Sequence, residues 1–210
     1  MLLASLLLAA APAEIPAFDR AAILRMCAAK EGDDLDGQYE CLRDEIEDHH
    51  QFMTLWQADK PERREGYRQC FAEKWDEEKN LPDWGMTIHC IEKMADPKLE
   101  VADSGGRFDL KKATAHCEGE KANPTTYPDG SQSGQDMGAC LSDAAAGHRS
   151  FRLIRAKYQR QRASDTLKAL DYCERTWVTN EARYDWGMAI FCANQQLSAP
   201  MMIAGLREIK

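Results

Sequence analysis

The chain has 210 residues, 44% of them hydrophobic and 30% charged, with a formal net charge of −8 at pH 7. That length fits one or two domains, and the composition excludes both a disordered chain and one that lives in a membrane. The acid excess argues against nucleic acid or an anionic bilayer as the partner of the whole chain.

Residues 1–13 read MLLASLLLAAAPA, an apolar run closing on Ala11, Pro12 and Ala13, which is the pattern of a signal peptide cleaved near Ala13 and Glu14. About ten apolar residues are too few to span a bilayer as a helix. The mature chain is therefore expected to be exported without a transmembrane segment, and to be periplasmic or secreted.

The rest reads as two copies of one four-cysteine unit, residues 18–97 and 108–200, joined by a linker at 98–107 that contains Gly105 and Gly106. Both copies carry Asp-Trp-Gly-Met (83–86 and 185–188) with Cys four residues past the Met. Phe18 precedes Cys27 by the same count that Phe108 precedes Cys117. Cys41, Asp44, His49 and Phe52 are matched in order by Cys140, Asp143, His148 and Phe151.

Four helices are expected per copy. In the first, Asp19 starts a helix that ends near Gly32. Residues 35–59 follow as a long amphipathic helix with Leu42, Ile46, His49, Met53 and Trp56 on its apolar stripe. Pro61 opens a third helix with Tyr67, Cys70, Phe71 and Trp75 inward, and Asp83 caps a fourth carrying Met86, Cys90, Ile91 and Met94. In the second copy residues 108–121, 136–162, 164–177 and 185–200 repeat the order. The inner face of its long helix is read as Met137, Leu141, Ala144, His148, Phe151 and Tyr158, with Ser164 and Asp185 as caps. Residues 201–210 form a tail or short helix. Without an alternating β-branched run, the class is all-α: two tandem disulfide-stapled four-helix repeats.

Eight cysteines in an exported chain imply four disulfides, and eight allow 105 pairings in principle. If consecutive cysteines pair, the bridges are Cys27 to Cys41, Cys70 to Cys90, Cys117 to Cys140 and Cys173 to Cys192. The first three are centred beside turn residues, as helical hairpins require. Each bridge is worth on the order of 3 kcal/mol in the chain-entropy model. Cys-x-x-Cys pairs of the kind that hold zinc are missing.

Little in the sequence points to chemistry. His49, His50 and Glu45 are the one candidate set of metal ligands, although His49 also lies on the apolar stripe. Trp75 and Trp177, Trp84 and Trp186, and Met86 and Met188 read as packing around the bridges. Arg149, Arg152, Arg155 and Arg160 lie on one helix, a cationic face for an acidic partner. The charge is uneven: residues 1–105 carry 12 Lys and Arg against 23 Asp and Glu, net −11, and residues 106–210 carry 15 against 12, net +3. Carboxylates at 40–48 and 76–78 offer the converse, a surface for a cationic partner such as a basic cell-wall hydrolase. No nucleophile elbow, phosphate loop, dinucleotide fingerprint or His-Glu-x-x-His occurs, and no cofactor is implied.

Asp83-Trp84-x-Met86-x-x-x-Cys90 and its copy ending at Cys192, Gln195 and Gln196 resemble a motif of small, exported, uncharacterised bacterial Cys-rich proteins, a resemblance that implies no activity. Cys27 to Trp56 and Cys117 to Tyr158 resemble lysozyme-inhibitor-like helical proteins. The expectation is an exported, non-catalytic protein, monomeric or weakly dimeric, that binds a protein or envelope component. The alternatives are a small cell-wall or stress-related hydrolase and a lysozyme-inhibitor-like protein.

Overall fold

A computed structural model describes residues 15, 17–76, 81–122, 136–179 and 184–206, with 198–206 described by backbone alone. The expected signal peptide lies outside these residues. The described chain is all-α. Helices α1 (Arg20–Glu31), α2 (Leu35–Ala58), α3 (Arg64–Glu73) and α4 (Trp84–Lys93) make the first half, with a 3-10 turn at Pro61–Arg63. Helix α5 (Pro97–Asp103) leads to α6 (Leu110–Ala122), α7 (Met137–Arg160), α8 (Ser164–Trp177) and α9 (Trp186–Leu206). A two-residue pair, β1 (Trp75–Asp76) and β2 (Leu81–Pro82), joins α3 to α4, with Trp75 opposite Pro82 and Asp76 opposite Leu81.

Short polar side chains set the helix starts. Asp19 accepts from the Ala22 N–H at 2.9 Å, Asp83 from Met86 at 2.8 Å and Asp185 from Met188 at 2.8 Å. Each satisfies an amide that the first turn leaves unpaired. Gly32, at φ 60°, ends α1 in the left-handed region open to glycine. Ser164 does not cap α8; the cap position is Ala163, which supplies no side-chain hydrogen bond.

All four bridges join consecutive cysteines, Cys27–Cys41, Cys70–Cys90, Cys117–Cys140 and Cys173–Cys192, with Cα separations of 5.7, 5.6, 5.9 and 5.7 Å. Those separations are the ordinary disulfide span. Each bridge clamps two helices that are successive among the eight longer ones: α1 to α2, α3 to α4, α6 to α7 and α8 to α9.

Beside the bridges sit two aromatic clusters. His49 meets Phe18 at 4.9 Å and Trp84 at 4.8 Å, and Phe52 meets Trp84 at 5.2 Å. His148 meets Phe108 at 5.3 Å and Trp186 at 4.6 Å, and Phe151 meets Trp186 at 5.5 Å. Both histidines present a ring edge to the indole (75° and 80°), the tilt that aromatic quadrupoles favour.

Three expectations change. The expected linker at 98–107 is not an open loop through its first part: Pro97 opens α5, Asp96 caps it, and Glu100 is buried against α7. Residues 201–206 are not a separate helix, because α9 runs unbroken through Leu206. The single inward stripes on the long helices are also too narrow. On α7 every residue from Ala144 to Phe151 is buried, and on α2 Glu47, Gln51, Phe52, Thr54 and Leu55 are buried with Leu42, while Ile46, His49, Met53 and Trp56 of the expected stripe are only half-buried. The reason is that the halves pack on one another, with α2 and α4 against α7 and α2 also against α9. Each long helix therefore covers its own bundle with one face and the other half with the opposite face.

Within the second half, Gly147 lets α7 come close to the start of α9. A Cβ there would lie 2.6 Å from the Trp186 carbonyl oxygen and 3.0 Å from the Gly187 nitrogen. The seam itself is polar. Asn194 donates to Gln51 at 2.8 Å, and Gln51 donates toward Glu92 (3.4 Å) and Ser150 (3.5 Å). The apolar clusters of the two halves stay separate apart from Leu153, which reaches from α7 into the first, and Ala95, which joins the second.

Candidate functional site

The cationic face expected on α7 does not exist as such. Arg149 is only 4% exposed and faces Asp59 at 3.7 Å, its planar head near the Tyr67 ring. Arg152 turns to Glu100 at 3.4 Å, beside His148, whose Nδ1 is 2.7 Å from the same carboxylate oxygen. Arg155 is held by Asp171 and by Glu174 at 2.7 Å. Arg160 alone of the four is exposed without an ion pair described for it. Three of these four arginines are internal ties, because α7 is central to the molecule and α5 and α8 bring acids to it.

The candidate metal ligands also part. His49 is packed between Phe18 and Trp84, while His50, the next residue round the helix, lies 3.3 Å from the Lys157 ammonium. Burial lowers the pKa of both rings to about 4, with Lys157 also acting on His50. Glu45 turns toward the start of α4, where the Trp84 N–H donates to it. Burial and then Asp83 still raise its pKa to about 7. Among the described residues no three His, Cys, Asp or Glu side chains converge tightly enough to hold a metal ion.

Two cavities stand out among the described residues. The larger, about 900 Å³, lies between α1, α2, the β pair and the start of α4, and mixes Arg25, Lys30 and Lys74 with Glu45, Glu73 and Asp76. Met86, read from sequence as facing inward, is 45% exposed on its wall. This cavity belongs to the first half alone and carries both signs of charge.

The second cavity, about 540 Å³, lies on the seam. Helix α2 contributes Arg43, Asp44, Glu47, Asp48 and Gln51; α4 contributes Gly85, Ile88 and Glu92; α7 contributes Asp143 and Gly147; α9 contributes Gly187, Ile190, Phe191 and Asn194. Positions that match between the halves both line it: Asp44 and Asp143, Asp48 and Gly147, Gly85 and Gly187, Ile88 and Ile190, Glu92 and Asn194. Five carboxylates and one guanidinium line it, and that guanidinium already pairs with Asp44 at 2.8 Å and Glu47 at 3.9 Å.

The electrostatic consequence falls on the carboxyl groups. Burial, reinforced by Glu45, Asp44, Glu92 and Glu47, raises the pKa of Asp48 to about 8. Burial and Asp143 raise that of Glu92 to about 7 against the opposing pull of Gln51 and Arg149. Burial also raises that of Asp143, opposed by His89 and Lys93. Carboxyl groups are driven toward neutrality when they lose water without gaining countercharge.

From the sequence, Asp44, Glu47 and Asp48 read only as part of an acidic surface, Asp143 only as the repeat partner of Asp44, while Glu92 and Asn194 carried no signal at all. The meaning of the match between Asp44 and Asp143 depended on how the halves dock. Fold and site together define a class: a four-disulfide, all-α protein with an acidic cleft between two packed halves. No family model, curated protein or solved structure matches the chain.

Proposed function

We infer that this is an exported, non-catalytic binding protein, built from two copies of one helical unit, whose seam cleft receives a cationic partner. The observation that carries the reading is the cleft: five carboxylates around one guanidinium, with pKa values of Asp48 and Glu92 near 8 and 7. Nearby positive charge returns such groups to the ionised state, so part of their desolvation cost is recovered on binding. Four disulfides support an oxidising compartment, periplasmic or extracellular.

The test is hydrogen exchange on the disulfide-intact protein at low ionic strength, with egg-white lysozyme as a basic probe and an acidic protein of similar size as control. Slower exchange confined to α2, α4, α7 and α9 with the basic probe alone is the expected result. No protection, or equal protection by both proteins, refutes the reading. A hydrolytic reading draws on the same groups, since a carboxyl protonated near neutral pH is a general acid. Release of soluble fragments from peptidoglycan by the purified protein, abolished in Glu92→Gln, would establish it instead.

A further inference from the structure

We propose that the larger cavity, the one between α1, α2, the β pair and the start of α4, is a second binding site, separate from the seam cleft, and that it takes a single-chain amphiphile carrying one carboxylate. Its volume of about 900 Å³ is that of a small-molecule site, which spans about 300–1,000 Å³. Met26, Trp75, Leu81, Pro82 and Met86 make much of its wall apolar. Met86 is 45% exposed there, and thioether side chains, unbranched and flexible, mould themselves to a hydrocarbon chain. A compact hydrated ion gains nothing from such a wall.

The sign of the ligand follows from which charges of the lining already have partners. Asp83 accepts from the Met86 N–H at 2.8 Å, Glu45 accepts from the Trp84 N–H, and Asp76 has a partner of its own. Burial and then Asp83 also raise the pKa of Glu45 to about 7, which weakens its repulsion of an anion. Glu73, exposed at the end of α3, is the one lining acid without a side-chain bond among the described residues. Of the three lining cations only Lys30 is paired, with Glu31 at 3.3 Å. Arg25 on α1 and Lys74 after α3 make no ion pair among the described residues. A guanidinium and an ammonium donate hydrogen bonds and accept none, so the head group that suits them is an anionic acceptor.

The second half shows that the fold does not need these groups. Both halves keep the cysteines, the Asp-Trp-Gly-Met run and the Phe, His and Trp cluster beside the bridges. The polar lining of the cavity is not kept: counted from the cysteines, Arg25, Lys30 and Glu45 correspond to Ala115, Glu120 and Ala144. Pro82 stands where the second half has Tyr184, a buried residue whose hydroxyl accepts from the Asp109 N–H at 2.7 Å and ties the start of α9 to the start of α6. Proline supplies no such tie. Packing therefore does not account for cations that only the first half places around a cavity, and a ligand does.

The test is isothermal titration of the full, unreduced protein near neutral pH with decanoate, decyltrimethylammonium and butyrate. The second probe has nearly the same chain and the opposite charge; the third has the same carboxylate on a short chain. Decanoate is expected to saturate one site and to bind about tenfold or more tighter than either of the others. Its binding should weaken about fivefold or more in at least one of Arg25→Gln and Lys74→Gln, and should stay within about twofold in Lys168→Gln, an exposed cation on α8. All three side chains reach solvent, and melting curves verify that each variant is folded. The proposal is overturned if decanoate does not saturate, if either of the other probes binds as tightly, if decanoate binds both cavity variants like the parent, or if Lys168→Gln weakens it as much as they do.

Discussion

Gly147→Ala is a sensitive test of how α7 and α9 pack inside the second half of this protein. The added methyl has nowhere to turn, because the atoms it would strike at 2.6, 2.7 and 3.0 Å are backbone atoms of Trp186 and Gly187. Ordinary contact begins near 3.4 Å, so α7 and the start of α9 must part by about 0.8 Å. Overpacking of this kind costs about 1–3 kcal/mol. Against it stands the gain in helix propensity, about 1 kcal/mol for glycine to alanine in a helix interior. Gly119→Ala on α6 is the internal control, because its Cβ would meet nothing within 4 Å. That variant keeps the propensity gain without the clash. The assay is denaturant unfolding of the unreduced proteins, followed by tryptophan fluorescence. The expected order of stability is Gly119→Ala, then the parent, then Gly147→Ala, with the last about 0–2 kcal/mol below the parent. Since about 1 kcal/mol moves the midpoint of a protein this size by about 2–4 °C, the two variants should melt several degrees apart. If Gly147→Ala proves as stable as Gly119→Ala, the close approach of α7 and α9 is wrong.

Three further outcomes follow from the same contacts. Asp48 has its pKa raised to about 8 in the fold, so the folded state holds more protons than the unfolded between about pH 4 and 8. Its contribution is therefore favourable in acid and lost as pH rises through 8. Asp48→Asn should stabilise the protein more at pH 8.5 than at pH 5, by on the order of 1 kcal/mol or more, and an equal effect at both would contradict the buried carboxyl. His49 and His50, with pKa values lowered to about 4, act oppositely: stability is lost as pH falls from about 6.5 to 4, and a glutamine at each position should blunt that loss in an acid titration of folding. Arg149→Met should destabilise by about 1–3 kcal/mol in urea unfolding, because Asp59, which keeps Arg63, then loses the second of its buried countercharges. A change near zero would mean that this arginine sits in water.

What the sequence settled is what depends on neighbours along the chain. Cysteine spacing around turns pointed to three of the four bridges, because antiparallel helices bring residues equidistant from a turn side by side, and the fourth joins consecutive cysteines as the other three do. Asp19, Asp83 and Asp185 marked helix starts for a reason equally local, since a cap bonds an amide three residues on. The docking of the halves decided the rest. It buried Arg149, which reads from sequence as a surface cation, while packing of α5 and α8 on α7 turned Arg152 and Arg155 to their acids. It converted an acidic stretch of α2 into one wall of a cleft closed by Glu92, Asp143 and Asn194. Helix periodicity locates a face but not what lies beyond it, and on α2 and α7 two opposite faces are covered. The polar seam of Gln51, Ser150 and Asn194 has no hydrophobic pattern to announce it, so the cleft came into view only with the tertiary fold.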